Sequence, residues 1–194
     1  MSNTVFINPN SNKDLKKKIP AFGFFLLLTL QGVGQSINWL TIEQAQALNK
    51  KEPRKILIDV YTTWCGPCKM MMTHTFSHPW IAGYINKHYY AVKFNAEGTE
   101  TVIFKGTTFT NPGYIKDQPG RNSTHQFTQA IAPVNGRIAY PTIVFIDENL
   151  NLITPVQGFQ KPDQFEPMLK FIADKKYISV KWQDYMSTFK GEIQ

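Results

Sequence analysis

The chain of 194 residues holds two cysteines, and both fall in one short segment, Trp64-Cys65-Gly66-Pro67-Cys68-Lys69. A bridge closing so short a loop removes little entropy from the unfolded chain, so as a structural staple it is weak. The spacing suits thiol–disulfide exchange instead. The pair sits between an apolar run at 55–61 and a stretch of helical character at 69–76. A sulfur at the start of a helix meets unpaired N–H groups and the positive end of the helix dipole, which favour its thiolate. In C-x-x-C motifs the cysteine pKa falls from about 8.5 to about 3.5–7.5. A fall to near 7 corresponds to roughly 2 kcal/mol in favour of the anion. Cys65 is therefore the expected attacking thiolate. Cys68, one turn further in and expected to be the more buried, resolves the mixed disulfide by attacking Cys65. Pro67 can occupy the first turn without losing a helical hydrogen bond.

Zinc is the competing chemistry for the pair, with His74 and His78 as further ligands. A finger needs about a dozen residues between its two ligand pairs, however. Here five separate Cys68 from His74, and 75–79 reads as a helix break. No metal is expected, and the two histidines read as surface or cap residues. Asp59 lies within Ile56-Leu57-Ile58-Asp59-Val60. A carboxylate there is costly to bury charged, so its pKa should rise toward neutrality, which suits a proton acceptor. A solvated place at the strand end is the alternative.

The elements that must position these groups follow from pattern and punctuation. Thr41-Ile42-Glu43-Gln44 has the form of a capping box and opens a helix to about 50. Strands are expected at 55–61 and 89–95. Between them Ser77 caps a helix with Pro79 in its first turn, running to about 87. Residues 102–104 and 107–109 flank Lys105-Gly106 as a hairpin, and 111–122, rich in Pro, Gly and polar residues, is a loop. Ser123-Thr124-His125-Gln126 is a second capping box for a short helix ending before Pro133. Asn135-Gly136 is a turn signal. Strands follow at 141–146 and from 150 to about 155, then a helix over 162–173. Trp182, Tyr185, Met186 and Phe189 share one face of a last helix, placed at 178–190. The first two strands are joined by a helical crossover, so the order predicts an α/β fold, a mixed sheet covered by helices.

The net charge is +7, of which +3 falls in residues 1–34. The remaining charge is spread along the chain with no basic stripe interleaved with aromatics, so no nucleic acid is expected as a partner. Lys16-Lys17-Lys18 precede an apolar run over 19–30, followed by small residues to Gly34. This is the pattern of a secretory signal peptide, with cleavage expected after Gly34 and export, to a periplasm-type compartment, as the consequence. An uncleaved membrane anchor and a buried helix are the alternatives. The mature domain is then 35–194.

With these residues in place, the sequence resembles the thioredoxin superfamily. Trp64 to Lys69 is that family's active-site hexapeptide. Asp59 stands where its members have a buried aspartate that takes the proton of the resolving cysteine, and Lys93 resembles the lysine paired with that aspartate. Tyr140-Pro141-Thr142 resembles the cis-proline loop facing the cysteines, and Gly158 the glycine beside that groove. The resemblance thus implies a thioredoxin fold, catalytic roles for Cys65, Cys68 and Asp59, and a supporting role for Lys93. It also implies substrate contacts at Trp64, Gly66, Pro67, Tyr140, Pro141 and Gly158. No cofactor is implied beyond the redox-active Cys65–Cys68 disulfide.

Thr73-His74-Thr75-Phe76-Ser77-His78-Pro79 resembles the exported or membrane-linked members, among them the C-terminal domain of the bacterial transmembrane thiol reductant conduit. A proline that kinks this helix in small cytosolic thioredoxins is absent. An insertion at 98–137, before the cis-proline strand, is also foreign to them. It is expected to border the site and narrow substrate choice, with a decoration distant from the cysteines as the alternative. The implied activity is reduction of disulfides in exported protein substrates by a monomer kept reduced by a membrane-bound thiol reductant, with membrane attachment only if the leader stays uncleaved. A disulfide oxidase or isomerase is the alternative direction, and a non-catalytic binding module on the same fold is the third reading.

Overall fold

The computed structural model describes residues 1–2, 36–118 and 120–193. The account below concerns the unit Val33–Gln194; the expected leader and its cleavage point lie outside the described residues. A five-stranded sheet in the order β1-β3-β2-β6-β7 forms the centre, where β1 is Trp39–Leu40, β2 Lys55–Tyr61, β3 Tyr89–Asn95, β6 Thr142–Ile146 and β7 Leu152–Gln157. The first three of these strands run parallel, and β6 and β7 are antiparallel additions. The helices are α1 Ile42–Lys51, α2 Gly66–Met70, α3 Pro79–His88, α4 Gln126–Ile131, α5 Pro162–Ala173 and α6 Trp182–Thr188. A separate hairpin, β4 Val102–Phe104 and β5 Thr107–Phe109, completes the set. Among the described residues no helix is long and apolar enough to cross a membrane.

The central strands are buried on both faces, which is why their sequences are continuous apolar runs rather than alternating ones. One core layer gathers Leu57, Ile85, Phe145, Phe165 and Leu169; the other gathers Ile58, Val92, Phe94, Phe127 and Val144. Leu57 and Ile58 are adjacent in β2, so the pleat alone sends them to opposite layers. Phe127 of α4 is fully buried and meets Phe94, Phe104 and Phe109 at centroid distances of 5.3–5.4 Å. This cluster ties the inserted segment into the core. The hairpin is held by α1: Glu43 and Gln46 accept from the amides of Ile103 and Lys105, and Gln46 donates to the Ile103 carbonyl.

Several expectations need correction. Ser77 does not cap α3; its hydroxyl donates to the Thr73 carbonyl one turn back, and His78 is the residue before the helix. Ser123 does not cap α4 either. His125 does so with its ring: Nδ1 accepts from the amide of Phe127, and Nε2 then carries the proton donated to the Glu100 carbonyl. The expected strand at 150–155 lies two residues later, because Asp147 accepts from the amides of Asn149 and Asn151 and lengthens the turn, with Leu150 at φ 62°. The C-terminal helix at 178–190 is shorter: a 3₁₀ turn spans Lys176–Ile178 and α6 covers only Trp182–Thr188. Trp182 and Tyr185 pack on Phe171 and Phe189 on Tyr185, whereas Met186 is exposed. The helix expected at 69–76 begins earlier, and α2 passes into a π-helical turn, Met71–Thr75, closed by the Phe76 amide on the Met71 carbonyl. This turn stands where a kinking proline was missing.

Candidate active site

Strand β2 ends at Tyr61, and the loop after it delivers Cys65 to the start of α2, with Pro67 in the first turn. The two sulfurs are bonded at 2.06 Å. The Cys68 amide donates to Cys65 Sγ at 3.1 Å, the contact that would hold a thiolate on Cys65 after reduction. Both cysteines are buried, Cys65 2% and Cys68 4% exposed, so Cys68 is not the more buried of the two in this oxidised state.

A cleft of about 510 Å³ opens on the motif, lined by Trp64, Cys65, Gly66, Pro67 and, across from them, Ala139 and Tyr140. Cys65 lines it and Cys68 does not, an asymmetry that matches an attacking and a resolving sulfur. The Tyr140–Pro141 peptide is cis. Pro141 itself is buried behind the cleft, and its carbonyl accepts from the amide of Gly158 at 2.8 Å. Gly158 has φ 93°, a conformation that a residue with a Cβ adopts only under strain. Pro141 and Gly158 therefore support the cleft wall rather than line it.

Asp59 is 1% exposed in the middle of β2, and one of its carboxyl oxygens has no hydrogen-bond partner. Burial pushes its pKa from 3.8 up to about 7, opposed in part by the positive charge of Lys93. Lys93 is its register neighbour on β3, but the two make no ion pair. The Lys93 ammonium lies over the Tyr61 ring at 4.8 Å instead. The pairing implied by the resemblance is thus an influence through space, not a contact.

The insertion borders the cleft, as expected. Its residues Arg121, Asn122 and Thr124 line the same opening. Glu97 joins the two parts: its Oε2 accepts from Trp64 Nε1 at 2.9 Å and from the Asn122 amide at 3.0 Å. The Arg121 guanidinium lies 4.5 Å from the centroid of the Trp64 ring, and Tyr140 meets that ring edge-on at 6.0 Å. Sequence reading missed Glu97, Arg121 and Asn122. One faint signal was a lone acidic residue just past the end of a predicted strand. His74 is exposed, and among the described residues no group of three His, Cys, Asp or Glu side chains could hold a metal ion.

Fold and site together are those of a thioredoxin-like protein: a mixed sheet, a C-x-x-C at a helix start, and a cis-proline loop opposite. Residues 42–173 match the thioredoxin-like domain family, and the chain belongs to that family. A segment of 24 residues is 62% identical to Thioredoxin-3, mitochondrial, of Saccharomyces cerevisiae; the match spans 12% of this chain and 19% of that protein. Among solved structures, a thioredoxin from Thermus thermophilus aligns with a TM-score of 0.52 at 15% identity, over 72% of this chain and 89% of that one. A putative disulphide-isomerase from Bacteroides thetaiotaomicron aligns at 22% identity and a TM-score of 0.48, over 76% and 98% of the two chains. The oxidised C-terminal domain of DsbD from Neisseria meningitidis gives 16%, 0.42, 68% and 90% in the same order.

Proposed function

We propose that the protein is a thiol–disulfide oxidoreductase that reduces disulfides of exported proteins. The observation that carries this reading is the cysteine pair itself: Cys65 lines an open cleft with the Cys68 amide on its sulfur, and Cys68 sits bonded behind it. In the reduced protein the Cys65 thiolate attacks one sulfur of a substrate disulfide. A substrate thiolate leaves and takes up a proton, and Cys65 is left in a mixed disulfide. Cys68 then loses its proton, with Asp59 as the acceptor, and attacks Cys65 Sγ. The second substrate thiol is released and the Cys65–Cys68 disulfide forms, so two electrons pass to the substrate. A dithiol reductant at the membrane returns the pair to the reduced state.

The direction rests on the Gly-Pro between the cysteines, which resembles the reducing members of the family. Export rests on the leader pattern before Ser36. Thioredoxin stands near about −270 mV and a strong periplasmic oxidant near about −120 mV, a gap of roughly 7 kcal/mol. Equilibration of the protein with glutathione buffers decides between them. A potential below about −250 mV is expected, and one above about −200 mV overturns the reductive assignment. The mass of the mature protein recovered from its native compartment checks the leader: cleavage after Gly34 is expected, and an intact amino terminus refutes it.

A further inference from the structure

A substrate disulfide reaching Cys65 must pass three walls: the motif, the cis-proline loop and the inserted strap at 121–124. The strap brings one cation and Glu97 one anion to this opening. Glu97 is 9% exposed, and its Oε2 accepts from both Trp64 and Asn122. Arg121 is exposed, and among the described residues no carboxylate lies within ion-pairing distance of it. What an incoming chain meets is therefore a guanidinium. That group is held in advance. It lies 4.5 Å from the centroid of the Trp64 ring, the Arg121 backbone carbonyl accepts from Gln118 Nε2, and the next amide is fixed on Glu97. A pre-placed cation loses less entropy on binding than a free one. A guanidinium also presents a fork of N–H donors that fits a carboxylate with two parallel hydrogen bonds.

We propose that Arg121 is a specificity-determining residue, selecting substrates that carry an acidic side chain beside the disulfide to be reduced. The inference rests on the oxidoreductase reading and adds to it the chemical class of the substrate. Trp64 is the platform on which the selecting charge rests, and Glu97 the brace that keeps platform and strap together. Contact with an acidic neighbour draws the substrate sulfur toward Cys65; a basic neighbour is repelled at the same place.

The test uses the full chain and two synthetic peptides with one disulfide each, identical except for Asp or Lys at the residue next to the cysteine. Wild type is expected to reduce the Asp peptide with a kcat/KM about three- to tenfold above that of the Lys peptide, as a partly exposed charge pair gives. The ratio should shrink as salt is added. Arg121→Gln should bring it to near unity, Arg121→Glu should invert it, and Arg121→Lys should keep its direction. A purely structural role for Arg121 would lower both rates together and leave the ratio unchanged, which overturns the inference. Equal rates for the two peptides in wild type overturn it as well, while the oxidoreductase reading stands. No turnover of either peptide by wild type removes that reading and the inference with it.

Discussion

Trp64 Nε1 donates to Oε2 of Glu97 across 2.9 Å, joining the active-site motif to a residue 33 positions later. The same oxygen holds the amide of Asn122, so one carboxylate sets both the indole and the strap over the cleft. Glu97→Ala leaves two donors without their acceptor. The expected loss is about 1–3 kcal/mol of stability. A red shift of Trp64 fluorescence should accompany it, measured against a Trp64→Phe background to remove the other indoles. An unchanged spectrum and melting temperature would refute the brace.

Asp59 should make stability fall with rising pH. Its folded pKa, about 7, lies above the ordinary value of 3.8. Below that ordinary value both states are protonated and the group contributes nothing to the balance. Between the two values the unfolded chain releases its proton while the folded one keeps it, so folding weakens as pH rises. Above about 7 the cost stays level, at about 4 kcal/mol as an upper bound. Asp59→Asn is expected to flatten the denaturation midpoint between pH 4 and 8 and to raise it at pH 8. It should also slow release of the second substrate thiol and remove the rise of that step through pH 7, read by rapid quenching of single-turnover reactions.

The asymmetry of the two sulfurs gives opposite outcomes on substitution. Cys68→Ala should accumulate a mixed disulfide through Cys65, recovered on a non-reducing gel and released by dithiothreitol. Cys65→Ala should trap far less and lose insulin reduction. Equal trapping by the two variants would reverse or remove the assigned roles.

Glu166 on α5 binds the C-terminal tail. Its carboxylate accepts from Lys170 Nζ at 2.8 Å and from the amides of Glu192 and Ile193 at 2.8–3.0 Å. Burial alone would raise its pKa, but these donors outweigh burial and hold it below the usual carboxylate range. Its stabilising contribution is therefore present at neutral pH, above the unfolded pKa, and is lost as pH falls through the lower folded value. Glu166→Gln turns an amide NH₂ toward backbone donors, and about 1–3 kcal/mol should be lost. Thermal melting at pH 7 and faster hydrogen exchange at 192–193 provide the check.

How much of this was legible in the sequence depends on where the stabilising partner lies. β2, β3 and α5 were readable almost to the residue, because apolar runs and the breakers that bound them are local. Cys65, Cys68, Asp59 and Tyr140-Pro141 were readable because their spacing matches a family pattern. The caps at Ser77 and Ser123 misled because each hydroxyl found another partner, Thr73 for the first and Asn111 for the second. An imidazole took the cap of α4 in place of a usual short polar side chain. Strand β1 has two residues and exists only through its pairing with β3, which no local pattern announces. Glu97 and Arg121 meet Trp64 in space and Asn122 meets Glu97, contacts that no local pattern announces beyond the acidic residue just past β3.

The grip of α1 on the hairpin has a bearing on solubility. A two-stranded sheet with a half-exposed Ile103 is a template onto which another extended chain could add. Here the outward amides of Ile103 and Lys105 and the outward carbonyl of Ile103 are already taken by Glu43 and Gln46. Helix side chains thus stand in for a third strand, and that edge is closed to self-association.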